Sequence, residues 1–337
     1  MLLAPPDHST RLPVPREFVH RSADDDVLIT HFQTGADGTH RMAARWPRAH
    51  ALFGPVAGGG DNPMLMAETI RQAGAAVAHM AYGAPTDLHF LLWDLRYEVP
   101  GDVLAAGVPL SPATAVVRCD DVRRRGGRLA SFHLEVDLWR GGLRVGRRGA
   151  SATCVTRAAY RRLRPARPTT PTAVAAPTAG MAPTAVAAPA VVAAPAVVAV
   201  PAAVDGSEPV TPALAGRTRA RDVLLAATGT PGVWRLRAER GHPVVFDSQS
   251  DHLPGRAIVE AMRQAAQLAT GYPHMVVPSL DAGFRRYVEL DRPCHVTASL
   301  GRPLPGGGLP VRVTLVQDGE VAAEGVLTAR PVAGGAS

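Results

Sequence analysis

Residues 254–265 read Pro-Gly-Arg-Ala-Ile-Val-Glu-Ala-Met-Arg-Gln-Ala, and residues 67–73 read Ala-Glu-Thr-Ile-Arg-Gln-Ala. Glu260 and Glu68 stand 192 positions apart, as do Arg263 and Arg71, Gln264 and Gln72, and His242 and His50. Upstream, Asp222-Val-Leu-Leu echoes Asp26-Val-Leu-Ile. A period this long describes a duplicated domain, because solenoid repeats recur every few tens of residues.

Working outward, each copy follows one plan. A strand signal comes first, at Val27–Thr30 and Val223–Ala226, then a His-containing loop, then a helix. Met64, Leu65, Ile70, Ala73, Ala76 and Val77 give the first helix its periodicity, with Asn62 and Pro63 suited to its start. Ile258, Val259, Met262, Ala265, Ala266 and Ala269 do the same for the second, where Asp251 and His252 are candidate caps. Strand-like runs follow: Leu88–Val99, Thr114–Cys119, Ser131–Trp139 and Ala150–Thr156 in the first copy. Phe284–Leu290, His295–Leu300, Val311–Val316 and Val321–Ala329 follow in the second. One long helix before a meander predicts an α+β fold in which an antiparallel sheet wraps a central helix, twice over.

Between the copies the composition changes. Thr169 to Val204 carries no charge and repeats Ala-Val-Ala-Ala-Pro. Its hydropathy imitates a membrane span, but recurrent proline removes the amide donors a spanning helix needs. The expected organisation is an N-terminal domain over 1–164, an Ala/Pro-rich flexible linker over 165–215 and a C-terminal domain over 216–337.

All 36 basic residues are arginine and the net charge is +7. Lysine Schiff-base chemistry and a lysine-bearing phosphate loop are therefore excluded, and any anion held by a cation falls to arginine, whose fork suits phosphate. The arginines are scattered, so nucleic acid is not an expected partner. Cys119, Cys154 and Cys294 are too few and too far apart for a metal or disulfide framework. Residues 1–15 lack an apolar signal core, so a cytoplasmic location is expected, without membrane partners.

Glu68, Arg71 and Gln72 share one helix face at i, i+3 and i+4, and Glu260, Arg263 and Gln264 repeat that stripe. Charges on an otherwise apolar helix are costly unless paired or functional. An intrahelical ion pair is the plainer explanation; retention of the whole stripe in both copies favours a site. His50, His242 and His252 accompany it, with His242 the foremost because it heads the stretch quoted next.

From Gly241-His242 through Pro254-Gly255 to Glu260, the sequence resembles the hydroxyacyl-carrier-protein dehydratase signature, with Glu six residues after the proline. His242 lies further upstream than in that signature, and Arg256 stands where an apolar residue is expected. A closer resemblance is to the A-factor (γ-butyrolactone) biosynthesis hotdog family. It is carried by Trp46-Pro-Arg-Ala-His50, Leu65-Met-Ala-Glu68-Thr-Ile-Arg71-Gln72-Ala-Gly, Phe90-Leu-Leu-Trp93-Asp-Leu-Arg-Tyr97-Glu-Val, Arg286-Tyr-Val-Glu-Leu-Asp291 and Gln317-Asp-Gly.

The resemblance implies a tandem hotdog acyltransferase without metal or cofactor. Its partners would be a β-ketoacyl acyl carrier protein and dihydroxyacetone phosphate, joined as an ester that cyclises to a phosphorylated butenolide. Glu68, Glu260 and His242 are the candidate catalytic residues, with Glu68 or Glu260 as general base. Arg71, Arg263, Gln72 and Gln264 are the candidate substrate-binding residues, an arginine holding the phosphate. The competing readings are a hotdog thioesterase or dehydratase acting on carrier-bound chains and a non-catalytic acyl-binding module.

Overall fold

The computed structural model describes residues 11–47, 50, 52–56, 60–164, 208–237, 239, 241, 242, 245, 246 and 250–332. The first half contains β1 (Leu12–Pro13), β2 (Ile29–Thr34), β3 (His40–Ala44), α1 (Leu65–Met80), β4 (His89–Glu98), α2 (Gly101–Ala105), β5 (Ala113–Arg125), β6 (Arg128–Arg140), β7 (Leu143–Val155) and α3 (Arg157–Leu163). The second contains β8 (Leu225–Ala227), β9 (Val233–Leu236), α4 (Gly255–Thr270), β10 (Met275–Phe284), β11 (Cys294–Leu300), β12 (Leu309–Gln317) and β13 (Glu320–Pro331). Most of the expected linker, residues 165–207, lies outside the described residues; of the remainder, Pro209 bridges Ala226 and the Val210 amide donates to the Leu225 carbonyl at 3.1 Å.

The strands form one antiparallel sheet in the order β1-β2-β3-β5-β6-β7-β4-β10-β13-β12-β11-β9-β8. Apart from β1, the order reads alike from both ends, β2-β3-β5-β6-β7-β4 being answered by β8-β9-β11-β12-β13-β10. The halves join where β4 pairs with β10, from Glu98↔Ser279 to Asp94↔Gly283. Arg96 and Asp281 pair across this seam at 3.0 Å, and the buried Tyr97 hydroxyl donates to the Val277 carbonyl at 2.8 Å.

Alternation decides which sheet face is covered. Leu129, Phe132, Leu134, Val136 and Leu138 of β6 are buried, and Val311, Val313 and Leu315 of β12 repeat the pattern. On α1 every residue but Arg71 and Met80 is buried. Small side chains bring that helix close to the sheet: a Cβ on Gly74 would lie 3.2 Å from Leu134 Cδ2. α4 ends at Gly271, whose φ of 68° closes the helix in the left-handed region.

Three expectations are corrected. The strand after α4 is Met275–Phe284, with residues 285–290 beyond it as loop. Pro278 disguises this strand, but it sits where the β10–β13 register shifts between Val276 and Ser279, and such an irregularity tolerates a missing amide. β3 and β9 are short strands within stretches read as loop. Asp251 and His252 do not cap α4, whose N-cap is Pro254; their side chains bind Tyr160 and each other.

Gly149 has the closest backbone approach, since a Cβ there would fall 1.8 Å from the Leu134 carbonyl oxygen. Gly149→Ala should therefore destabilise the protein by about 3 kcal/mol or more, because backbone must yield. Urea denaturation checks this, and a midpoint equal to that of the wild type would show that the backbone accommodates the added methyl group.

Candidate functional site

Glu68 is buried in the middle of four donors. Arg71 reaches back one helical turn and binds both carboxylate oxygens, Nε to Oε2 at 3.1 Å and Nη2 to Oε1 at 2.9 Å. Gln72 Nε2 donates to Oε1 at 2.8 Å, and Arg21 adds a short ion pair from the segment before β2. Burial alone would raise the carboxyl's pKa; Arg21 and Arg71 overcome that and hold it well below the ordinary value of 4.5. The rest of the Gln72 amide is taken up by backbone: its Oε1 accepts from the Leu28 and Ile29 amides at 2.7 and 3.3 Å, and its Nε2 also donates to the Asp26 carbonyl at 2.7 Å.

The second half repeats this cluster. Arg263 Nε and Nη2 bind Glu260 Oε2 and Oε1 at 2.9 and 3.0 Å, Gln264 donates at 2.7 Å, and Arg217 Nε donates at 2.9 Å. Gln264 likewise holds the Leu224 amide and the Asp222 carbonyl, each at 2.8 Å. Burial raises the Glu260 pKa, and Arg217 and Arg263 bring it below the ordinary value. Arg21 and Arg217 were missed in the sequence reading. The signal was there, because each stands five residues before the Asp of the repeated Asp-Val-Leu.

The histidines occupy related places. His242 is buried, with Nε2 2.9 Å from Asp222 Oδ1 and Nδ1 accepting the Val245 amide at 3.0 Å. His50 Nδ1 accepts the Leu52 and Phe53 amides at 3.2 and 3.1 Å, and its Nε2 is 4.0 Å from Asp26. Both rings thus organise the loop ahead of their helix.

The two clusters differ in what they face. Glu68 and Arg71 line a cavity of about 260 Å³ that runs between α1 and the start of α4. Its apolar walls include Leu95, Phe132, Leu134 and Ala152, and the second half contributes Gly255, Arg256 and Val259. Arg71 Nη1 has no hydrogen-bond partner among the described residues, although Nε and Nη2 are engaged. Arg256 lies near enough to help lower the Glu68 pKa, after Arg21 and Arg71. Arg263, by contrast, also spends Nη1 on Gln267 at 2.7 Å and Nη2 on the Ala215 carbonyl at 2.6 Å. The position matching Arg256 is Met64, at the N-cap of α1, buried with its sulfur 3.0 Å from the Tyr97 hydroxyl oxygen.

A larger cleft of about 920 Å³ adjoins this cavity through Phe90, Leu92 and Gly255. Asp251 there accepts from the Tyr160 hydroxyl at 2.7 Å, and Arg164 binds Asp251 at 3.0 Å and Glu289 at 2.6 Å. Among the described residues no three His, Cys, Asp or Glu side chains group as a metal site. Nor, among the described residues, is any helix long and apolar enough to cross a membrane.

Both buried carboxyls bind protons less readily folded than unfolded, so their stabilisation is present above about pH 4.5 and is lost as pH falls through the depressed folded values. Glu260→Gln, which leaves two buried guanidinium groups facing a neutral partner, should cost about 3–5 kcal/mol at pH 7. It should also flatten the acid limb of stability between pH 5 and 3, measured by thermal melts. An unchanged acid limb in the variant would remove Glu260 from that linkage.

A family model described as the A-factor biosynthesis hotdog domain matches residues 3–156 and 201–333. Among curated proteins, a 2-oxo-3-(phosphooxy)propyl 3-oxoalkanoate synthase of Streptomyces virginiae is 37% identical over 90% of this chain and 93% of its own. Proteins of the same name from Streptomyces coelicolor and Streptomyces griseus are 36% and 32% identical, over 93% and 94% of this chain and 90% and 95% of theirs. Similar solved structures include a 12:0-ACP thioesterase from Umbellularia californica, with 11% identity, 87% and 94% coverage of this chain and that chain, and a TM-score of 0.43. An acyl-ACP thioesterase from Bacteroides thetaiotaomicron has 12% identity, 87% and 97% coverage, and a TM-score of 0.44. With both halves matched and relatives aligned over nine-tenths of its length, the chain belongs to the A-factor biosynthesis hotdog family.

Proposed function

We propose that the protein is an acyltransferase that moves a 3-oxoacyl group from a thioester to a hydroxyl of dihydroxyacetone phosphate. The product is the ester for which the Streptomyces relatives are named. The thiol leaves, and the acceptor hydroxyl's proton ends on its sulfur. The donor is a β-ketoacyl acyl carrier protein, met in the cytoplasm, and the ester then cyclises by intramolecular aldol condensation with loss of water to a phosphorylated butenolide. Each half is one hotdog unit, and the working site lies between them.

The observation that carries this reading is the cavity between α1 and the start of α4, which combines apolar walls with Arg71 and Arg256. An acyl chain needs the former; a phosphate dianion suits the latter. The amide end of α4, with Gly255 in the cavity wall, is placed to stabilise the oxyanion that forms as the thioester carbonyl is attacked. Glu68, ionised and surrounded by donors, sets the position of Arg71, and this arrangement favours a charge-holding role over proton abstraction. Glu260, Arg263, Gln72, Gln264 and His242 support the site by fixing the segments around the two helices.

The test is mass spectrometry of the purified protein with a β-ketoacyl thioester, presented free and on a carrier protein, with and without dihydroxyacetone phosphate. A phosphorylated ester or butenolide that needs both substrates is expected; release of free acid regardless of acceptor would favour a thioesterase. Arg71→Met and Arg256→Met should each raise KM for dihydroxyacetone phosphate by about 10- to 100-fold, the loss of a charged hydrogen-bond partner. Arg256→Met should not much affect the weaker use of unphosphorylated dihydroxyacetone.

A further inference from the structure

His20 also lines the cavity, and nothing in the sequence reading singled it out. Its backbone sits in the left-handed region at φ 54°, which a side chain with a Cβ seldom adopts without a reason. The residue just before Arg217, where His20 stands before Arg21, is Gly216, also left-handed at φ 63°. A Cβ on Gly216 would strike the Gln267 amide at 2.2 Å, so the second half has no room for such a side chain. The first half therefore keeps a histidine where the fold itself suits glycine.

The hydrogen bonds fix its tautomer. His79 Nδ1 lies 2.7 Å from the Ala84 carbonyl oxygen, which only accepts, so Nδ1 carries the proton. The His79 pKa is lowered by burial, so the ring is neutral and its Nε2 is an acceptor. His20 Nε2, 2.9 Å away, must then be the donor. That leaves His20 Nδ1 with an open lone pair and no hydrogen-bond partner among the described residues. The counterpart of His79, 192 positions on, is Gly271, so the second half lacks both members of the pair.

We infer that His20 is the general base of acyl transfer, with His79 as the positioning residue that holds its tautomer. The inference rests on the acyl-transfer reading above. His20 Nδ1 takes the proton of the acceptor hydroxyl as its oxygen attacks the thioester carbonyl; when the C–S bond breaks, the proton passes to the thiolate. Burial first, then the positive charge of Arg71, hold the His20 pKa down to about 3. The acceptor's phosphate, bound at Arg71, would offset the Arg71 contribution, while the larger contribution from burial remains.

His20→Gly is the decisive variant, because glycine suits the left-handed backbone and should preserve folding, checked by an unchanged or raised Tm. Its kcat for ester formation should fall by about 10²- to 10⁴-fold with little change in KM for dihydroxyacetone phosphate, and added imidazole should restore part of the rate. His79→Leu should lower kcat to a lesser extent, and imidazole should not rescue it. A His20→Gly enzyme with kcat within about threefold of wild type overturns the role of His20. A wild-type enzyme that forms no ester from any thioester overturns the acyl-transfer reading and this assignment with it.

Discussion

Each half depends on one buried carboxylate held between two guanidinium groups. A glutamate inside an apolar helix is tolerable only when it is charged and fully partnered, since desolvation of a lone carboxylate costs far more than any one hydrogen bond returns. Glu68 and Glu260 meet that demand by drawing one arginine from their own helix and a second from the preceding segment. The glutamine in the next position completes the tie by accepting and donating to the backbone that leads into β2 or β8. The polar stripe thus anchors the chain leading into each half against its central helix.

Much of this was legible in sequence because duplication printed it twice. The helices, the alternation of β6 and β12 and the stripe all follow from periods that physical chemistry fixes. The second arginine of each cluster was legible too, but only to a reader who carried the repeat upstream to Arg21 and Arg217. What sequence hid was a matter of tertiary placement. Pro278 makes β10 look broken until its partner strand is seen to shift register there. His20 looks like an ordinary loop residue, because its value lies in a contact with His79, 59 residues away. Nor does the repeat say that, among the described residues, Arg71 keeps Nη1 unengaged while Arg263 has both terminal nitrogens engaged.

The asymmetry has a simple physical form. Where the first half carries His20 and His79, the second carries Gly216 and Gly271; where the second half carries Arg256, the first carries Met64. Distinctive groups from both halves therefore converge on the Glu68 cavity. Around Glu260 the equivalent positions are glycine or an apolar side chain packed under Tyr97. One copy of the duplicated cluster retains the tie and serves as framework, leaving the other to combine the same tie with a lined cavity.

The pairing of β4 with β10 bears on the long insertion between the halves. Because hydrogen bonds along that seam, and not the covalent connection, set the halves in register, the length of residues 165–207 is under little geometric control. Closure entropy grows only with the logarithm of length, so doubling such a connection costs about 0.6 kcal/mol. A stretch of alanine, valine and proline can then expand or contract by whole repeats during evolution at almost no energetic penalty. Within this family the spacing between the halves should accordingly drift far faster than the residues on either side of the seam.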